Sequence, residues 1–249
     1  MSKGDPLDQL WCVPIEPGAP FYLEQASELP PAARRYLEHT IAPGTPKMST
    51  VRLRMHGAIR LKEVWHPFNA DEVINWNVGF VWRAKAKLNG LPVTGFDCWI
   101  NGKGAMRWRL LGILPIVTAS GPDMDRSALE RMMIEAVWIP SVLLDPNVTW
   151  GERDTTQLTS NLKLKGHHTH LEWSLNEQGR VLSISMLRWG DPEGHGYRTI
   201  PFGGIAEKET TFGGFTIPSK LRIGWYFGTD LFESEGEFFR CTIDEATYR

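Results

Sequence analysis

Between residues 50 and 247 the chain repeats one short pattern, segments of period two closed by turn signals, and breaks it once with a long run of helical spacing. Nothing else in the sequence restricts the fold as much. Val51, Leu53 and Met55 alternate with Arg52, Arg54 and His56, as in a strand with one face on a core and the other in water. Further strand segments are read at 78–88, 94–100, 105–111, 114–120, 157–165, 168–175, 181–189, 205–211, 219–227 and 235–247. Asn89-Gly90, Asn101-Gly102, Gln178-Gly179, Gly190-Asp191 and Gly213-Gly214 supply the turns. About ten strands at this spacing predict a mainly β (α+β) fold, a single curved antiparallel sheet or open half-barrel.

The helical run starts after Gly121-Pro122, with Asp123 or Asp125 as N-cap and Ser127 with Glu130 as an alternative capping box. Leu129, Met132, Met133, Ala136, Val137 and Pro140 form an apolar stripe. Arg131, Glu135 and Trp138 fall roughly opposite it, and Ile134, Ile139 and Val142 flank them. This is the one long central helix, bent in its last turn by Pro140, and it suits the concave side of a curved sheet. A short N-terminal helix follows Ser27-Glu28-Leu29-Pro30-Pro31, with Ser27 or Glu28 near its cap and Ala33, Tyr36, Leu37 and Ile41 as its stripe. Residues 1–26, with Pro14, Pro17, Gly18 and Pro20, read as an irregular arm, and 27–249 as one half-barrel domain.

A formal net charge of −2 argues against a phosphate-gripping surface, so no nucleic acid partner is expected. The first residues lack the apolar core of a secretory signal, and no apolar run is long enough to span a bilayer. With three dispersed cysteines, Cys12, Cys98 and Cys241, the expectation is a cytoplasmic, reduced protein without membrane insertion. Eleven tryptophans in 249 residues exceed what packing alone requires and point to a thick core or an aromatic-lined cavity.

Several blocks carry a family resemblance. Trp65…Pro67-Phe68, Gly79-Phe80-Val81-Trp82, Gly104-Ala105-Met106-Arg107 and Glu135-Ala136-Val137-Trp138-Ile139-Pro140 resemble a family of bacterial proteins of unknown function, and Leu29-Pro30-Pro31…Arg34-Arg35-Tyr36-Leu37 resembles its opening helix. The resemblance runs from about residue 27 to 248. It implies an architecture similar to the curved antiparallel half-barrel of bacterial lipoprotein carriers, in which helices close a greasy concavity. No export signal is expected from the first residues, and in that expectation the chain departs from those carriers.

Two uses of such a cavity follow. In the first, the protein binds a hydrophobic small molecule or lipid between sheet and central helix, against Trp82, Trp99, Met132, Trp138, Trp189, Trp225 and Tyr226. In the second it is a cofactor-independent enzyme of lyase, isomerase, hydratase or cyclase type. Glu135 then acts as general acid/base, with its pKa raised by an apolar setting, and Arg107, oriented by Asp97 across the Asn101-Gly102 turn, binds an oxyanion or carboxylate. The competing roles are structural: a helix pair between Arg131 and Glu135, a rim ion pair between Asp97 and Arg107, and core packing for each tryptophan. His168 and His170 share a strand face, but no third ligand stands at a diagnostic spacing, so no metal is expected. Nucleophile elbows and phosphate loops are missing, and no cofactor is expected.

Overall fold

Six strands leave the middle of one sheet in one direction, seven return to it from the other, and a single helical crossover joins the two outer edges. The computed structural model describes residues 5–16 and 18–249; the first four residues of the expected arm and its Pro17 lie outside the described residues. The outgoing strands are β1 (Thr50–Leu61), β2 (Val64–Asn75), β3 (Gly79–Leu88), β4 (Leu91–Ile100), β5 (Lys103–Leu110) and β6 (Leu114–Ser120). The returning ones are β7 (Thr149–Glu152), β8 (Gln157–Leu164), β9 (His167–Leu175), β10 (Val181–Gly190), β11 (Arg198–Phe212), β12 (Phe215–Trp225) and β13 (Glu237–Tyr248). They form one antiparallel 13-stranded sheet in the order β6-β5-β4-β3-β2-β1-β13-β12-β11-β10-β9-β8-β7. The pairing of β1 with β13, from Val51 opposite Tyr248 to Ile59 opposite Phe239, closes the meander in the middle of the sheet.

Thirteen strands replace the ten or so expected. β2 escapes a period-two reading because Pro67 lies in it and two of its inward positions are the polar His66 and Glu72. It nevertheless pairs along its length with β1. The β2–β3 register begins only at Phe68, so Pro67 lies beyond that ladder, where a missing N–H is tolerated. Asn89-Gly90 and Asn101-Gly102 take positive φ at both residues, as two-residue hairpins require.

Among the described residues three α-helices, α1 (Pro6–Trp11), α2 (Pro31–Thr40) and α3 (Pro122–Ile134), accompany the sheet. The N-terminal segment is not wholly irregular: α1 buries Leu7 and Leu10 on Val73 and Val81, which point away from the main core. The N-cap of α2 is Pro30 rather than Ser27 or Glu28. Gly121 caps α3 without a side-chain bond, and Asp125 turns to accept the Gly104 N–H at 2.7 Å instead of capping its own helix. The long helix expected through Pro140 ends at Ile134, and 3₁₀ turns at Glu135–Trp138 and Pro140–Leu144 continue the crossover.

The contacts of α3 show how far the sheet curls. It packs on β3, β4, β5 and β6 and also on β9 and β10. β5 and β10 stand eight strand spacings apart, about 38 Å if the sheet were flat. A helix about 10 Å across reaches both only where the sheet wraps around it. That enclosure explains why eight of the 13 residues of α3 are buried, among them every residue from Ser127 to Ile134 except Arg131. Gly104 marks a close approach of α3 to β5, since a Cβ there would lie 2.4 Å from the Met124 carbonyl.

Candidate functional site

Period two along β2 turns His66, Phe68, Ala70 and Glu72 toward the concave face, and all four are buried. An acid therefore occupies a position where alternation calls for an apolar side chain. Cross-strand register places Glu72 opposite Trp82 and Trp82 opposite Asp97. The two carboxylates are thus separated by two strand spacings, about 10 Å, with an indole between them.

Arg131 descends from α3 to bridge that gap. Its Nη2 donates to Glu72 Oε1 at 3.1 Å, its Nη1 to Asp97 Oδ2 at 3.1 Å, and its Nε to Glu135 Oε1 at 2.7 Å. The guanidinium lies 4.8 Å from the Phe80 ring centre and 5.3 Å from that of Trp82. Trp108 Nε1 donates to the other Asp97 oxygen at 3.1 Å. One arginine thus holds three acids from three separate elements.

A second buried arginine is held differently. Arg188, on β10, lies 4.5 Å from the Phe202 ring centre and 5.1 Å from that of Trp225, and its Nη2 donates to the Ser127 carbonyl at 3.2 Å. Among the described residues no carboxylate lies within ion-pair distance of it, and its Nε has no partner. Glu72 Oε2, Glu135 Oε2 and Trp82 Nε1 are likewise buried without a hydrogen bond. Each orphan costs about 1–3 kcal/mol.

Burial raises the Glu72 carboxyl well above the usual range, and the charge of Glu135 adds to the rise despite Arg131. Asp97 and Glu135 are also raised by burial, with Arg131 opposing. For Arg131 burial favours proton loss, but the charges of Glu135, Glu72 and Asp97 outweigh it and keep the guanidinium protonated. Arg188 is lowered to about 10 by burial and then by repulsion from Arg131.

These groups line one hollow between sheet and α3, of about 440 Å³, within the range of small-molecule sites. Met124, Ala128, Arg131, Glu135 and Trp138 form the helical wall, at the spacing of one helix face. Trp82, Trp108, Trp225, Phe80, Phe202 and Phe239 supply aromatic wall from the sheet. Leu61, Ile116 and Val117 line the hollow and are exposed, so it reaches the surface there. The β1–β2, β3–β4 and β5–β6 turns lie at this same end.

Of the residues expected at the site, Glu135, Asp97, Trp82, Trp138 and Trp225 meet at the hollow. Arg107 does not. It is exposed, stands opposite Phe96 in the β4–β5 register and lies over that ring at 5.9 Å, while Asp97 stands opposite Met106. One residue of register thus puts Asp97 and Arg107 on opposite faces. Trp99 and Met132 are buried without lining the hollow, and Met132 belongs to the packed stripe of α3. Trp189 lies outside it, with its Nε1 on Asp123 at 2.9 Å and Arg126 at 4.3 Å over its ring. Tyr226 is also outside, hydrogen-bonded to Glu193. Glu72, Trp108 and Arg188 were missed. The His66–Phe68–Ala70–Glu72 alternation was the available signal for Glu72; nothing local distinguishes Arg188. His168 and His170 are exposed, and among the described residues no group of three or more His, Cys, Asp or Glu is placed to hold a metal ion.

A comparison with curated proteins finds no match. Among solved structures, the chain is similar to a LolA superfamily protein from Nitrosomonas europaea, at 9% identity and a TM-score of 0.45, covering 88% of this chain and 92% of that one. It is also similar to a DUF1329 family protein from Desulfovibrio piger, at 9% identity and a TM-score of 0.41, covering 88% and 90%. Residues 27–248 match a family of unknown function (DUF6920), and the chain belongs to that family.

Proposed function

We propose that the protein holds a hydrophobic small molecule or lipid in the hollow between its sheet and α3. The observation that carries this reading is the hollow itself: about 440 Å³ left unfilled inside a core of large side chains, with aliphatic residues at its opening. An unfilled apolar space of that size forfeits dispersion contacts, and a ligand restores them. Catalysis by Glu135 required a buried carboxyl free of arginine; Arg131 Nε at 2.7 Å favours holding over turnover.

The test is titration with the neutral apolar dye N-phenyl-1-naphthylamine after ligand stripping by reversed-phase adsorption. The dye should brighten on binding one site per chain. Ala86→Phe, which projects a ring from β3 into the hollow, should weaken it at least about tenfold with little loss of thermal stability. Dye affinity untouched in a folded Ala86→Phe variant would place binding elsewhere and overturn the proposal.

A further inference from the structure

The two arginines at the hollow differ in one respect that bears on what enters it. Arg131 is paired: each of its three nitrogens donates to a carboxylate. Arg188 is nine-tenths buried, lines the same space, and is in contact with two rings and one carbonyl, while Glu135, Glu130 and Asp97 act on it from beyond ion-pair distance. A buried guanidinium is a planar set of donors, best matched by an anion with two oxygens. Among the described residues no carboxylate comes within ion-pair distance to supply that anion.

We infer that Arg188 anchors the acidic head of an amphiphile, a carboxylate or phosphate on an apolar chain, whose tail fills the aromatic and aliphatic remainder of the hollow. This rests on the apolar-ligand reading and adds a head to it. Phe202 and Trp225 would flank the first carbons of the chain, since their rings already lie against the guanidinium. The competing recognition element is the acid cluster, whose free Glu72 and Glu135 oxygens suit a cationic head instead.

Four probes with the same twelve-carbon alkyl tail separate these cases by tryptophan quenching: tridecanoate, dodecyl phosphate, 1-dodecanol and dodecylammonium. At least one acidic probe should bind about 10- to 100-fold more tightly than dodecanol, the range of a charge-assisted hydrogen bond. Arg188→Met should bring its affinity down to that of dodecanol and leave dodecanol unchanged; Arg188→Lys should retain part of the preference. Equal binding of acidic probes and dodecanol, or a preference that survives Arg188→Met, overturns the anchor while leaving the apolar site standing. Tighter binding of dodecylammonium overturns it in favour of the acid cluster. Failure of every probe and of the neutral dye removes the site and the anchor together.

A separate observation concerns the opening. Leu61, Leu91, Leu111, Ile113 and Leu114 sit exposed at the β1–β2, β3–β4 and β5–β6 turns, with Ile113 82% accessible. Lys62, Lys87 and Arg109 flank these turns, exposed and with no ion-pair partner among the described residues, whereas the neighbouring Glu63 is taken by Arg60 at 2.7 Å. Greasy tips flanked by three free cations match an anionic lipid surface, although the chain has net charge −2 and the exposed Asp230 and Glu235 stand on the β12–β13 connection at the same end. We propose that this end docks on such a surface, bringing the opening to the lipid.

Co-sedimentation with vesicles of phosphatidylcholine alone or with 30% phosphatidylglycerol tests the docking. Binding should require the anionic lipid, weaken with salt and fall at least about tenfold in Ile113→Glu and in the double variant Lys87→Glu, Arg109→Glu. Indifference to lipid charge, or no binding to either vesicle, overturns it. A dimer in sedimentation velocity that Ile113→Glu dissolves overturns it in favour of a second copy of the chain.

Discussion

Replacing Arg131 with Met removes the charge on which three buried acids converge while keeping most of the apolar length of the side chain. The Glu72 side chain is wholly inaccessible and that of Glu135 is 9% accessible, so neither gains water when the guanidinium goes. Breaking a buried ion pair from one side costs about 3–5 kcal/mol, a third or more of the stability of many domains. At a urea dependence of about 3 kcal/mol per molar, the midpoint at pH 8 should drop by about 1–1.7 M. The sign of the pH effect follows from the carboxyls. They are already raised in the folded protein, and losing Arg131 removes what opposes the rise. The folded variant then binds more protons than its unfolded chain, where carboxyls titrate near 4. Its stability is fully present below that value and is lost as pH climbs to the folded pKa values, by about 1.4 kcal/mol per pH unit for each extra proton. Urea melts followed by tryptophan fluorescence at pH 5, 6, 7 and 8 should therefore show a gap from wild type that narrows toward pH 5. A gap under 1 kcal/mol at pH 8, or one constant with pH, would refute the view that Arg131 compensates buried charge.

Glu72→Gln should cost no more than about 1 kcal/mol in the same melts, because an amide oxygen can still accept from Arg131 and no charge is left unpaired. A loss like that of Arg131→Met would mean that Glu72 must be ionised. Trp108→Phe removes the N–H on Asp97 and should cost about 1–3 kcal/mol, read as a lower urea midpoint. Gly104→Ala drives a methyl toward the Met124 carbonyl and should lower stability by about 1–3 kcal/mol, with thermal melting as the check. Iodoacetamide at pH 8 should label exposed Cys12 quickly and Cys241 only on unfolding, because burial and then the Glu72 and Glu135 charges push the Cys241 thiol up. Peptide mass spectrometry reads both sites.

The sequence alone determined the kind of fold and the one element that had to be unusual. Val51, Leu53 and Met55 against Arg52, Arg54 and His56, with Asn-Gly turns between strands, suffice for an antiparallel sheet, because side-chain alternation and φ > 0 are local demands. The same local logic put Arg131, Glu135 and Trp138 on one face of the crossover helix, where the hollow is found. β2 was hidden because Pro67 and its polar neighbours weaken the alternation, and with it went Glu72, the most deeply buried acid of the cluster. What joins Glu72, Asp97 and Glu135 at Arg131 is strand register and the curl of the sheet, and what leaves Arg188 without an ion pair is that Glu130, the α3 acid beside β10, is turned to the Trp189 N–H, Arg126 and His167. Register between distant strands is decided by how the whole set of buried faces fits together, so only the tertiary structure chose Asp97 for the cavity and left Arg107 in solvent.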